Sequence, residues 1–295
     1  MMDQPRQAGT FGTDKIANTT CMETTLTDRF AVVQDVFQLE DWQTAAALLT
    51  EILGLPAVAA RQQARKSHGY LAANLSGELA QRLRDACAGR GIGLQLVPQS
   101  EVIPVIKPVR MHQVRIAEDA LWLGASDHDA KTSLGWNTLR LIAVTKMTRK
   151  ELFRHWETTG CRAEVNIKVT PYTEDYTEYL ADVFALQPGG QVLGVRLFSR
   201  QLNYSEALGD TAPDALVDAN ARMDGFRLLV SSIAAHAPQV HVSPESLALL
   251  DKSARESVRT PPLASLDDFN AVNRWLLQRL HLRGSRPGGR LVSGP

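Results

Sequence analysis

Between residues 28 and 98 the spacing of the apolar residues changes repeatedly, and this constrains the fold more than any other feature of the sequence. The run Phe30–Phe37 is rich in β-branched and aromatic residues, which is typical of a strand. Apolar residues then recur at helical spacing over Ala45–Leu53 and alternate over Ile92–Leu96. Both patterns are expected where one side of each element is buried against a second layer.

Capping residues divide this stretch into six elements. Asp41 and Ser76 are each placed to cap the start of a helix, while Gly54 and Gly89 are placed to end one. Pro56 suits the first turn of a further helix. The predicted order is strand, helix, helix, strand, helix, strand, which makes a two-layer βααβαβ domain.

Four segments of this domain carry a family resemblance: Leu53–Leu55, Ala60–Ser67, Leu75–Ala80 and Gly91–Leu94. They resemble the C-terminal domain of the ribosomal stalk protein, whose fold is shared by the adaptor of the Clp protease. Both relatives bind other proteins and do not catalyse, so the resemblance implies this fold and a protein-interaction role. The lysine-rich face of the stalk domain is not carried over, because only Arg61, Arg65 and Lys66 supply positive charge here.

A small antiparallel β-meander is predicted next. The segment Val114–Leu123 is typical of a hairpin, and Trp136–Val144 of a third strand. Thr148 and Glu151 form a capping-box pattern, which predicts a short helix that reaches Trp156.

The polar, Pro-containing segment Thr170–Thr177 is the best candidate for an internal linker. Beyond it, Gln187–Gly190 is predicted to form the loop of a β-hairpin. Three helices are predicted after the hairpin, from the apolar face Phe226–Ile233, the start Ser243–Glu245 and the cap pair Ser265 and Asp268.

The sequence therefore predicts an α+β protein of several modules. The predicted divisions are a disordered leader (1–27), the βααβαβ domain (28–100), the β-meander with a short helix (101–169), a ββααα domain (170–284) and a flexible tail (285–295). Met22 is an alternative start, with a natural flexible leader as the other reading. The segments Asn203–Tyr204, Phe226–Leu229 and Arg274–Leu277 resemble a family of bacterial proteins from which no function can be carried over.

Composition restricts the partners and the compartment. Thirty-two Lys and Arg residues balance thirty-two Asp and Glu residues, so no binding of nucleic acid or of a membrane is expected. No apolar stretch approaches the roughly 20 residues of a membrane helix. Cys21, Cys87 and Cys161 are too few and too scattered for a disulfide framework, which favours the cytoplasm.

The candidates for chemistry are few. Asp127, His128 and Asp129 are the most metal-like group, and His112 and His155 would have to converge on it from elsewhere in the chain. Adjacent residues of an extended loop point in alternating directions, so a solvated loop is the preferred interpretation. No catalytic, cofactor-binding or metal-binding residue is assigned, and no cofactor is expected.

Three further motifs receive structural interpretations. Cys161 with His155 upstream is read as an inert cysteine rather than a nucleophile with its base. The glycines of Gly89–Gly93 follow a helix and precede a strand, the reverse of the order in a dinucleotide fingerprint. The arginines of the C-terminal helix and tail are interpreted as a solvated face, and three tryptophans as core anchors. These arginines are Arg274, Arg279, Arg283, Arg286 and Arg290, and the tryptophans are Trp136, Trp156 and Trp275.

The leading hypothesis is a non-catalytic protein-interaction or regulatory protein with another protein as its partner. The alternative is an enzyme, or a binder of a small molecule or metal, with its site in a cleft between domains.

Overall fold

The computed structural model describes residues 29–125, 132–159, 166–209, 219–250 and 265–284. These residues contain both helices and strands, so the predicted α+β class is confirmed. The first unit contains β1 (Arg29–Gln34), α1 (Trp42–Leu53), α2 (Ala57–Arg65), β2 (Tyr70–Ser76), α3 (Gly77–Ala88) and β3 (Leu94–Pro98). This is the predicted order along the chain: strand, helix, helix, strand, helix, strand.

Local signals place the helices of this unit where they were predicted. The Asp41 carboxylate accepts a hydrogen bond from Thr44 N at 3.1 Å and so starts α1. Hydrogen bonding to Thr44 also lowers the pKa of Asp41. Gly54, at φ +67°, ends α1, and the Ser76 hydroxyl accepts from Leu79 N at 3.4 Å to start α3.

The three strands form an antiparallel sheet in the order β2-β1-β3. Val32 of the central strand packs with side chains from all three helices, including Leu49, Ala60 and Leu83. All four side chains are fully buried. The helices therefore cover the sheet as a second layer, as the alternation of hydrophobic periods predicted.

The remaining residues add eight strands and four helices to the described part of the chain. The strands are β4 (Val109–Met111), β5 (Gln113–Ile116), β6 (Ala120–Gly124), β7 (Thr132–Gly135), β8 (Leu139–Thr159), β9 (Asn166–Leu186), β10 (Val192–Phe198) and β11 (His241–Val242). The helices are α4 (Tyr204–Leu208), α5 (Ala219–His236), α6 (Pro244–Leu250) and α7 (Leu266–Gly284). The three helices predicted after the β9–β10 hairpin are confirmed as α5, α6 and α7, while α4 was not predicted.

Two sheets share these strands. One is a three-stranded meander in the order β5-β6-β7, and the other has the order β11-β8-β9-β10-β4. The predicted hairpin at Val114–Leu123 is confirmed as β5 and β6. The third strand of the meander is Thr132–Gly135, whereas most of the predicted third strand, from Leu139 onward, begins β8 of the larger sheet.

The larger sheet is covered on both faces. On one face, Val183 of β9 lies in a buried cluster with Leu121 of the meander and Phe226 of α5. On the other, Phe184 lies in a cluster with Phe269 and Leu277 of α7. Because neighbouring residues of one strand serve the two faces, β9 is buried on both sides at this level.

Two predictions for residues 148–177 are wrong. No short helix follows Thr148, because β8 continues as a strand to Thr159. The segment Thr170–Thr177 is not a linker but part of β9, so the predicted boundary between residues 169 and 170 falls inside a strand. The capping-box pattern is a local signal of four residues. The strand prevails because every residue from Ile142 to Thr159 has a cross-strand partner in β9.

Helix α7 joins the first unit to the larger sheet. Trp275 Nε1 donates to Gln34 O of β1 at 2.9 Å, while Arg274 Nε donates to the carbonyl of Ile103 at 2.7 Å. The guanidinium of Arg274 also lies 4.1 Å from the centre of the Tyr70 ring. The expectation of a solvated face for Arg274 and Arg279 is therefore wrong: Arg279 forms an ion pair with Asp35.

Candidate functional site

The metal-like group of the sequence, Asp127, His128 and Asp129, lies outside the described residues, as does Cys161. His112 lies between β4 and β5, where its backbone N–H donates to Gly124 O at 2.9 Å. His155 lies in β8 and pairs in register with Thr170. Among the described residues, no three His, Cys, Asp or Glu side chains gather as a metal ion would require.

Cys87 is a buried free thiol on α3. It packs in the core of the first unit with Val32 and Leu83. Burial raises the pKa of the Cys87 thiol to about 11, so the thiolate that would act as a nucleophile is scarce near neutral pH. Cys87 therefore acts as a small hydrophobic residue of this core.

A buried ionic network, which the sequence did not predict, lies between β9, β10 and α7. Arg196 donates to both carboxylate oxygens of Asp182 at 2.6 Å, and Asn273 Nδ2 donates to Asp182 Oδ2 at 2.8 Å. Asn270 Oδ1 accepts from Arg196 at 2.7 Å. Asp182 is completely buried, so this network fixes α7 on the sheet and does not present a carboxylate to a substrate.

The projecting part of the β8–β9 hairpin is the candidate interaction site. β11 pairs with β8 only at Leu141 and Ile142, and β10 pairs with β9 only over residues 180–186. From residue 146 to 159 and from 166 to 179, β8 and β9 therefore pair only with each other within the described sheet. We call these two segments the arm.

The arm is long for a two-stranded ribbon. Each of its segments, 146–159 and 166–179, contains 14 residues. At the rise of an antiparallel strand this corresponds to about 45 Å. Of its residues whose exposure is described, Glu178 at the base is buried, and six are exposed: Lys146, Thr148, Pro171, Thr173, Asp175 and Thr177. Proline is tolerated in a strand that forms the edge of a sheet, and both strands of the arm are edges.

Polar contacts hold the base of the arm on the larger sheet. Tyr179 N donates to the Ser199 hydroxyl at 3.1 Å, and Ser199 N donates to Tyr179 O at 2.8 Å. Tyr204 OH donates to the carbonyl of Ser199 at 2.7 Å. Burial raises the pKa of the Tyr204 hydroxyl above its ordinary value, which keeps it protonated as a donor. Arg200 lies 4.2 Å from the centre of the Tyr176 ring, so the end of β10 fixes where the arm leaves the sheet.

The backbone groups along the outer edges of the arm are suited to binding another extended chain. Every edge strand presents backbone N–H and C=O groups that no neighbouring strand satisfies, and such groups pair readily with another extended chain. The sequence signal for the arm was present in the β-branched and aromatic residues of 166–179, but the proline and the polar residues favoured a linker instead.

Comparison of the chain with family models, with curated proteins and with solved structures found no match. The resemblance of the first unit to the stalk domain stays a prediction. None of the described helices combines the length and the apolar character that crossing a lipid bilayer requires.

Proposed function

We propose that this chain is a non-catalytic interaction or regulatory protein of the cytoplasm that binds a strand of another protein along the arm. The observation that carries the proposal is the pairing of β8 and β9. Beyond the contact of Tyr179 with Ser199 at the base, this pairing leaves each strand with a single neighbour from residue 146 to 159 and from 166 to 179. The reduced, buried thiol of Cys87 supports the compartment.

The energetics of a two-stranded ribbon favour a partner. An isolated hairpin is marginally stable in water, and three or more strands are needed for independent stability. A strand added at either edge of the arm would satisfy the outward N–H and C=O groups, as in other cases of β-strand addition. The contacts of Tyr179 and Tyr204 with Ser199 hold the base of the arm. Beyond that base, the outer edges of β8 and β9 pair with no other strand of the described sheet.

The charge of the arm favours a protein over a nucleic acid. The arm contains five Lys or Arg residues and five Asp or Glu residues. These are Lys146, Arg149, Lys150, Arg154 and Lys168, and Glu151, Glu157, Glu174, Asp175 and Glu178. A ribbon that grips nucleic acid draws its affinity from an excess of Lys and Arg against the phosphates, and the arm has none.

A shortened arm tests the proposal. Deletion of residues 150–157 together with 168–175 removes eight residues from each strand, and Lys150 pairs with Asp175 and Glu157 with Lys168. An even deletion at matched positions preserves the register and the alternation of faces. Chemical cross-linking in cells that express the chain naturally, followed by mass spectrometry, is expected to recover a defined protein with the wild type and to lose it with the shortened arm.

Val58→Ser is the matched control. Among the residues whose exposure the structure describes, Val58 is the most exposed large hydrophobic side chain, at 67%, and it lies on α2 of the first unit. If the partner binds the arm, Val58→Ser retains it. Loss of the partner with Val58→Ser and its retention with the shortened arm would overturn the proposal and favour docking through the first unit, as the stalk resemblance implies.

A further inference from the structure

A cavity of about 330 Å³ lies at the end of the larger sheet opposite the arm. Leu186 at the end of β9 and Val192 at the start of β10 line it from the sheet, and Leu277 lines it from α7. Protein interiors contain few voids larger than a water molecule, and ligand pockets span about 300–1,000 Å³. The cavity therefore has the size of a small ligand pocket.

The wall of the cavity is aliphatic and open to solvent. Leu277 is buried, but Leu186 is 36% exposed, and Val192 is half-buried. Exposed leucine and valine surface in a concave site costs free energy in water, and an apolar ligand would remove that cost. The aliphatic lining favours a hydrocarbon body in the ligand.

The polar groups of the cavity are cationic or neutral. Arg140, His241, His281 and Arg283 line it, and no Asp or Glu is among its described lining residues. Arg140 Nη1 donates to the carbonyls of Asn137 at 2.7 Å and Leu139 at 3.0 Å. These bonds orient the guanidinium, and an arginine has further N–H groups with which to bind an anion.

The end of helix α7 accounts for only part of this charge. His281 and Arg283 lie in its last turn, where cations offset the partial negative charge of the helix carbonyls. Arg140 comes from the start of β8 and has no such role. The charge of Arg140 is therefore not offset by the partial negative charge at the end of α7, and it makes the cavity positive beside its aliphatic wall.

We propose that this cavity binds a small amphiphilic carboxylate, with the carboxylate against Arg140 and a hydrocarbon body of about eight carbons against Leu186, Val192 and Leu277. The site is separate from the arm, and the proposal does not depend on strand addition there.

Isothermal titration calorimetry of the full chain with octanoate, 1-octanol and octylammonium tests the proposal. The three probes carry linear alkyl chains of about seven or eight carbons and differ in the charge of the head group. Octanoate is expected to bind, with an affinity about tenfold higher than that of octanol. Octylammonium is expected to bind more weakly than octanol, because its charge repels Arg140.

Arg140→Gln is expected to lower the affinity for octanoate about tenfold while the affinity for octanol is unchanged. Unchanged octanol binding also shows that the cavity has kept its shape. Arg61→Gln, on the exposed face of α2, is the matched control and should leave both affinities as they are. Equal affinities of the wild type for octanoate and octanol, no binding of octanoate, or no effect of Arg140→Gln on octanoate would each overturn the proposal.

Discussion

The indole of Trp275 occupies the space that a side chain on Gly69 would need: a Cβ at residue 69 would lie 2.5 Å from Trp275 Cγ. Gly69 also has φ +83°, a conformation that L side chains rarely adopt. The backbone of the loop before β2 therefore lies directly against the Trp275 side chain of α7. This contact fixes the first unit against α7.

Gly69→Ala is expected to lower the free energy of unfolding by about 2–5 kcal/mol, from left-handed strain and from overpacking against Trp275. Gly54→Ala is the matched control, because Gly54 has φ +67° but open space where its Cβ would lie. It should cost only the backbone strain, about 1–2 kcal/mol. Urea denaturation of both variants measures the difference, and equal losses would show that Trp275 does not constrain residue 69.

The first unit was predictable because its signals are local. Asp41 is three residues from the Thr44 N–H that it accepts from, and Gly54 directly follows the last turn of α1. A sequence window of a dozen residues contains both ends of the helix, so capping chemistry alone locates it.

The α7 contacts were not predictable because their partners are distant in sequence. The bond from Trp275 Nε1 to Gln34 O joins residues 241 apart. The arginines Arg274 and Arg279 have a spacing that also suits a solvated helix face, and only the folded chain brings Ile103 and Asp35 to them. The cavity has the same origin, since Arg140 of β8 and Arg283 of α7 both line it although they are far apart in sequence.

Gln278→Leu is expected to cost about 2–4 kcal/mol of unfolding free energy. The Gln278 side chain is buried, and its Oε1 accepts from Ile103 N at 2.7 Å and from Tyr70 OH at 3.3 Å. Burial raises the pKa of Tyr70 to about 12, so its hydroxyl stays protonated and donates. Leucine would leave the buried N–H and hydroxyl without this acceptor.

Gln81→Leu is the control for that substitution. Gln81 is exposed on α3 and donates to Asp85, so its loss should change stability by at most about 0.5 kcal/mol. Both variants are compared with the wild type by urea denaturation. Similar effects of the two substitutions would contradict a specific role of Gln278 in holding α7.

Thiol labelling reports on the burial of Cys87. The chain has three cysteines, and the raised pKa and burial of Cys87 predict that it does not react with a disulfide reagent at pH 8 in the folded protein. Cys87→Ala should therefore leave the number of thiols labelled in the folded protein unchanged and lower the number in denaturant from three to two. A drop of one in the folded protein would show that this core opens readily.

We expect the loss of unfolding free energy on breaking the Asp182–Arg196 ion pair to depend on pH. Burial raises the pKa of Asp182 to about 6, although Arg196 and Asn273 act to lower it. Arg196→Met removes the stronger of these two lowering influences, so the pKa of Asp182 should rise further. The unfolded carboxyl has a pKa of about 3.9, so the folded state favours the protonated form.

The stabilisation that the raised pKa of Asp182 contributes to the folded state is fully present below about pH 4, and it is lost as the pH rises through the folded pKa of about 6. Arg196→Met should therefore cost most at pH 8, about 3–5 kcal/mol, where the buried carboxylate has lost its cation, and less at pH 5. Urea denaturation at both pH values measures this. The double variant Asp182→Asn/Arg196→Met has no ionisable group at either position and should lose this pH dependence; a cost of Arg196→Met that is equal at pH 5 and pH 8 would show that Asp182 does not carry the charge.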